Sequence, residues 1–76
     1  KIMMYGICEF NIEYDDKPKH LVKFETYEEA RIHYIKEYVM HERCIDYNIW
    51  IVWIDGDKIV QFEQLIPHIR TKIVQL

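Results

Sequence analysis

The most informative stretch of the sequence is Ile49-Trp50-Ile51-Val52-Trp53-Ile54-Asp55-Gly56. Its first six residues are all β-branched or aromatic, a composition typical of a β-strand. The Asp-Gly pair that follows is a hairpin turn signal. Residues 58–64 then alternate between apolar and polar side chains, which predicts a returning antiparallel strand.

The strand at 49–54 is apolar on both faces. With a Gly56-Asp57 turn, we expect Trp53 to pair with Val60 and Ile51 to pair with Phe62 on one face. A register shifted by one residue changes these partners but leaves both faces apolar. A strand with one solvent-exposed face should alternate between apolar and polar residues, and this one does not. We therefore expect the second face to be covered by a partner chain, a second copy, a ligand or the C-terminal tail.

The N-terminal part predicts a second hairpin. Residues 4–14 alternate and predict a half-buried strand, which Gly6 interrupts as a bulge. One side of this strand would carry Met4, Cys8, Phe10, Ile12 and Tyr14. Acids and a proline at 15–19 predict a turn, and residues 21–25 alternate again as the second strand.

A helix is expected between the hairpins, from about Tyr27 to about Arg43. Thr26 and Glu29 have the spacing of a capping box. At 100° per residue, the apolar side chains of this helix form two stripes. The first comprises Tyr27, Ala30, Tyr34 and Tyr38, and the second comprises Ile32, Ile35 and Val39. We expect either one wide contact with the sheet or a second partner on the second stripe.

The sequence therefore predicts one α+β domain spanning residues 1–76. Two antiparallel β-hairpins would form a four-stranded sheet with one α-helix on one face, in the order ββαββ. Residues 72–76 could add a short C-terminal edge strand. The expected core comprises Cys8, Phe10, Ile12, Val22, Phe24, Ala30, Tyr34, Tyr38, Ile51, Trp53, Val60 and Phe62.

Charge and composition exclude several classes of function. Residues 1–29 hold seven carboxylates against four lysines, whereas residues 30–76 hold six charges of each sign. No basic cluster is present, so general nucleic-acid binding is not expected. The longest apolar run has six residues, which predicts neither a membrane span nor a signal peptide. Two cysteines, Cys8 and Cys44, favour a reducing cytoplasm over a disulfide-bonded secreted domain, with a single bridge between them as the alternative.

The sequence gives little support for a catalytic site or a metal site. His33, Glu37 and His41 recur at every fourth residue near Cys44. The two histidines would lie about 12 Å apart along a helix, so the three residues cannot bind one ion, and a solvated helix face explains them equally well. Cys44 and His41 lie too close in sequence for the usual nucleophile and base pair. We expect no catalytic residue, no metal and no cofactor.

The aromatic excess favours a binding function. Six tyrosines and two tryptophans suit an interface because they bury large areas at low entropic cost. The first hypothesis is a non-enzymatic protein-interaction module acting through the second sheet face. That face would comprise Trp50, Val52, Ile54, Ile59, Glu9 and Glu13, with the stripe Ile32, Ile35 and Val39 as a second surface.

The expected partner is a second copy, forming a homodimer, or another protein. The frequency of Ile and the scarcity of Ala indicate a low-GC genome, so one form of this hypothesis is a phage or mobile-element inhibitor of a bacterial host protein. The alternative is a nucleotide-type small-ligand binder with its site at a dimer interface. Its phosphates would need cations, of which Arg31, Arg43, Arg70, Lys58 and Lys72 are candidates.

Overall fold

A computed structural model describes residues 3–41, 48–65 and 70–73, the last of these as backbone only. Its strands are β1 (Met3–Glu9), β2 (Lys19–Phe24), β3 (Ile49–Asp55), β4 (Lys58–Gln64) and β5 (Arg70–Ile73). One helix, α1 (Tyr27–Tyr34), continues into a π-helical turn at Ile35–Val39, called the π-turn below. All strand pairs are antiparallel, in the order β2-β1-β3-β4-β5.

The predicted α+β fold is confirmed: two hairpins form one open sheet, and the helix packs on it. The predicted C-terminal edge strand is present as β5, although residues 74–76 of that prediction lie outside the described residues. The hairpins join through β1 and β3, which pair without interruption from Met3 opposite Asp55 to Glu9 opposite Ile49. This central pair leaves β2 at one edge of the sheet.

Two buried clusters lie on opposite sides of the sheet. The helix-side core comprises Ile7, Ala30, Tyr34, Ile49 and Ile51. The far-side core comprises Cys8, Trp50, Val52, Ile54 and Phe62. Both faces of β3 are therefore buried inside this chain, as its unbroken apolar sequence requires.

The predicted register of the second hairpin is correct at the turn and wrong beyond it. Asp55 pairs with Lys58 and Ile54 with Ile59, around Gly56 at a φ of 67°. A bulge then shifts the register by one residue, so that Val52 opposes Phe62. Because side chains alternate along a strand, this shift puts Phe62 on the far side, beside Trp50, rather than beside Ile51.

The first strand is shorter than predicted because a closed loop ends it. The Asn11 amide donates to Asp15 Oδ2 at 2.9 Å, and the Asp15 amide donates to the Asn11 carbonyl at 2.8 Å. Ile12 and Tyr14 consequently point to solvent, at 43% and 80% exposure, and the prediction that they belong to the buried side is wrong. The Asn11 amide is also the main reason why the pKa of Asp15 is lowered.

Gly6 allows a close approach between strands rather than a bulge. A methyl group in place of its hydrogen would lie 2.7 Å from Leu21 Cδ1 and 3.0 Å from the Val22 carbonyl oxygen. The irregularity of the β1–β2 pair falls instead between Ile7 and Glu9. The predicted bulge at Gly6 is therefore wrong.

The predicted helix start is confirmed in part. Thr26 Oγ1 accepts from the Glu29 amide at 3.2 Å, as a capping residue does. The Glu29 carboxylate accepts from the Thr26 hydroxyl at 3.0 Å, so its predicted contact with the Thr26 amide is replaced by a side-chain contact. Acidic residues in the first turn suit the positive end of the helix dipole.

The helical segment ends earlier than predicted. Regular α-helical bonding ends at Tyr34, and the Met40 amide donates to the Ile35 carbonyl five residues back, at 3.0 Å. Met40 and His41 form a turn, and residues 42–43 of the predicted helix lie outside the described residues. Among the residues that the structure describes, no helix is long and apolar enough to cross a membrane.

The π-turn brings part of the second predicted stripe to the sheet. The first stripe packs on the sheet as predicted, with Ala30 and Tyr34 fully buried. In the second stripe Ile32 is 48% exposed, but Val39 packs against the helix-side core. An extra residue in one helical turn rotates the following side chains back by about 100°, which brings Val39 round to the sheet.

Candidate interaction surface

The surface predicted from sequence is built largely from buried residues. Trp50, Val52 and Ile54 are only 6%, 0% and 3% exposed, and Ile59 is half-buried against them. A partner would reach this far-side core only by displacing the residues that cover it.

Described residues supply part of that cover. The Phe10 ring stacks on Phe62 with centroids 5.1 Å apart, and the Trp50 ring meets Phe62 edge-on at 5.9 Å. The Trp50 indole donates to the Phe10 carbonyl at 2.7 Å, so its polar atom is satisfied within the chain. Trp50 thus has the packing and hydrogen bonding of a core tryptophan.

The other residues of the predicted surface are scattered. Glu9 is half-buried at the end of β1, with Oε1 3.6 Å from His20 Nδ1, and Glu13 is exposed in the loop that follows. On the helix, Ile32 points to solvent while Ile35 and Val39 are half-buried. The residues of the predicted sheet face therefore do not form one exposed surface. The residues of the predicted helix stripe do not form one either.

The aromatic residues of the helix side mainly contact one another. Tyr27 stacks on Trp53 at 5.0 Å, and Tyr5 meets both rings edge-on at 6.0 Å. His33 lies between Phe24, at 5.2 Å, and Tyr38, at 6.4 Å. These rings therefore account for much of the aromatic excess as packing between the helix and the sheet.

Within the described residues, every buried side-chain nitrogen or oxygen has a hydrogen-bond partner. The Cys8 thiol is free and buried, and burial raises its pKa to about 12, which keeps it unreactive at neutral pH. His33 packs against the rings of Phe24 and Tyr38. Cys44, another residue considered for a metal site, lies outside the described residues. Within the described ranges no three His, Cys, Asp or Glu side chains are placed to hold one metal ion.

The nucleotide-type alternative gains no site from this arrangement. Of its candidate cations, Arg31 and Lys58 are exposed at separate places, on α1 and beside the β3–β4 turn. Arg43 lies outside the described residues, as do the side chains of Arg70 and Lys72.

The accessible surface with the clearest binding chemistry is the β2 edge, defined here as the strand Lys19–Phe24. β2 has a strand neighbour on one side only, so within the described part of the chain its outward N–H and C=O groups lack a strand partner. Such an edge is a template for pairing with another extended segment.

The side chains of the β2 edge are unusually apolar at its centre. Leu21 and Val22 are 38% and 50% exposed, on opposite sides of the strand. Val22 was predicted to be a core residue, and this prediction is wrong because half of its side chain is exposed on an edge strand. Neighbouring apolar exposure on an edge strand is the feature that proteins usually avoid.

The first two residues of the β2 edge contact carboxylates, whereas Lys23 lies near its end and is exposed. Lys19 Nζ is 3.3 Å from Asp15 Oδ1, and His20 contacts Glu9. His20 also has a φ of 56°, which turns the start of the strand. Pro18 and the lysines around it are sequence signals of an edge strand that could have identified this surface in advance.

Comparison of the chain with protein-family models, with curated proteins and with solved structures yields no match.

Proposed function

We propose that this chain is a small protein-interaction module that binds an extended segment of a partner along the β2 edge. The observation that carries the proposal is the position of Leu21 and Val22, exposed apolar residues at the centre of an edge strand. Backbone hydrogen bonds would supply affinity, and the two side chains would contact the two faces of the added strand.

The burial pattern favours the edge over the sheet face. A far-side interface would require the residues that cover Trp50 and Val52 to be displaced, at a cost of several kcal/mol in lost burial. The β2 edge is accessible without any rearrangement. Its partner segment would be extended and apolar at its centre, with a carboxylate able to reach Lys19 or Lys23.

An inhibitor of a host protein would be one form of such a module. A strand added along β2 could occupy the partner's own sheet edge or hold a flexible segment of the partner in an inactive conformation. This form of the proposal keeps the predicted class, protein binding without catalysis, and changes only the surface that acts.

Site-specific photocross-linking tests the proposal in the cells that make the protein. A benzophenone amino acid at position 22 should give covalent protein adducts. The same group at position 32 is the matched control, because Ile32 is a β-branched residue of almost equal exposure that points away from the sheet. Equal adducts at both positions, or none at position 22, would refute binding along β2.

A further inference from the structure

Resting on the proposed function, we infer that His20 determines how long a partner strand the β2 edge accepts, because a bulge at His20 limits regular pairing to residues 21–24. The bulge lies at the start of the strand, directly before the exposed pair Leu21 and Val22. Its position makes His20 a specificity-determining residue for binding along β2.

The bulge consists of one extra residue in β2. From Ile7 to Glu9 β1 advances by two residues, whereas the β2 partners of these residues lie three apart, at positions 22 and 19. Within this stretch His20 has a φ of 56°, in the left-handed region. An extra residue whose first position is left-handed is a known form of β-bulge, and glycine usually occupies that position.

Histidine is an unusual residue for this conformation. A side chain larger than that of glycine crowds the backbone at positive φ, so the conformation is strained and persists where neighbouring contacts hold it. Two such contacts lie here: His20 Nδ1 is 3.6 Å from Glu9 Oε1, and Lys19 Nζ is 3.3 Å from Asp15 Oδ1. The His20 side chain is 80% exposed, so core packing does not account for the strain.

A bulge also affects the outer side of the strand that carries it, because the strand bends and its backbone groups lose their regular spacing. A partner strand along the outer side of β2 would therefore stay in register only over residues 21–24, a length of about 13 Å. Leu21 and Val22 both lie within this stretch. Bulges are one means by which proteins keep edge strands from pairing with further copies. The β2 edge thus favours a short extended segment over a long flat strand.

Deletion of His20 tests this limit, because it removes the extra residue and lets β2 pair regularly beyond residue 21. The deletion variant should self-associate through the lengthened edge, with an apparent dissociation constant at least about tenfold lower than that of His20→Gly. His20→Gly is the matched control: it removes the same side chain and its contact with Glu9, while glycine adopts the left-handed conformation without strain.

Sedimentation velocity at several protein concentrations measures the self-association, and circular dichroism shows whether each variant is folded. A folded deletion variant that self-associates no more than His20→Gly would overturn the inference.

His20→Val serves if the deletion variant does not fold. A β-branched residue strongly disfavours positive φ, so valine favours an extended residue 20 without changing the length of the chain. Folded His20→Val should likewise self-associate more strongly than His20→Gly. Equal self-association of these two variants would refute the role of the bulge.

Photocross-linking along β2 separates this inference from the proposed function. A benzophenone amino acid at position 22 should give several times more protein adducts than one at position 19, whose partner on β1 lies on the same side of the sheet but beyond the bulge. Equal adducts at both positions would leave binding along β2 standing and refute the limit at His20. The absence of adducts at position 22 would refute the proposed function, and the deletion variant would still decide whether the bulge limits pairing.

Discussion

The Tyr27 hydroxyl donates a hydrogen bond of 2.6 Å to Oε1 of Glu63, joining the first residue of α1 to β4 across the helix side of the sheet. The two residues are 36 positions apart in sequence. Burial, followed by the Glu63 hydrogen bond and its negative charge, raises the pKa of Tyr27 to about 12. This contact fixes the start of the helix over the sheet while Tyr27 stacks on Trp53.

Tyr27→Phe should keep the stacked ring and remove only the hydrogen bond. We expect the free energy of unfolding to fall by about 1–2 kcal/mol, because a half-buried carboxylate loses its partner. Urea unfolding of the variant and of Glu63→Gln, which retains an acceptor at the same position, gives the comparison. Unchanged stability in Tyr27→Phe would show that water replaces the hydroxyl without loss.

Alkaline pH should destabilise the fold through Cys8 first and Tyr27 second. The pKa of Cys8 rises from 9.0 to about 12 and that of Tyr27 from 10.0 to about 12 on folding. A raised pKa means that, between the unfolded and the folded pKa values, the folded chain keeps a proton that the unfolded chain has released. The stabilising contribution is therefore complete below pH 9 and is lost as the pH rises toward 12.

The measurement is the midpoint of urea unfolding between pH 7 and 11. Cys8→Ala should reduce the decline that begins above pH 9, and Tyr27→Phe should reduce the part that begins above pH 10. If both variants decline in parallel with the original chain, other groups control its alkaline stability.

Gly6→Ala should destabilise the chain by about 1–3 kcal/mol through overpacking. The added methyl group would press on Leu21 Cδ1 and on the backbone oxygen of Val22, so β2 would have to move away from β1. Leu21→Ala in the same chain should restore part of the loss, since it removes the closest atom. A double variant no more stable than Gly6→Ala would identify the Val22 carbonyl as the main obstacle.

Trp50→Ala distinguishes a core residue from an interface residue. Because Trp50 is buried against Phe62 and bonded to Phe10, its removal should cost about 3–5 kcal/mol of unfolding free energy. Thermal unfolding measured at several protein concentrations tests this expectation. A stable, folded Trp50→Ala chain that only loses self-association would instead support the sheet face predicted from sequence.

Much of the fold follows from local patterns in the sequence. The continuous apolar run of β3 predicted a strand buried on both faces, and both faces are buried. The Thr26 cap and the first helical stripe were equally clear, because their periodicity matches regular geometry. Cover of the second face by the chain's own residues was one of the alternatives considered from sequence. The aromatic content of β3 favoured a partner chain instead, and the sequence alone could not exclude one.

The errors arise where one residue is inserted into a regular element. The bulge in β4 moved Phe62 to the other face, and the π-turn moved Val39 toward the core. A strict period of 2 or 3.6 residues cannot anticipate such shifts, because the packing of distant elements decides them. Val22 was misassigned for a related reason: alternation identifies two faces of a strand but does not say that the strand lies at an edge.

The π-turn at Ile35–Val39 also has a consequence for how the chain tolerates a change in length. A π-turn is what an α-helix becomes when one residue is inserted and the core contacts on either side are retained. A version of the chain with one residue deleted between positions 35 and 39 would recover regular α-helical bonding and keep both Tyr34 and the residue that takes the place of Val39 on the sheet. A one-residue change in chain length should therefore be tolerated at this point, and thermal unfolding of the deletion variant tests that expectation.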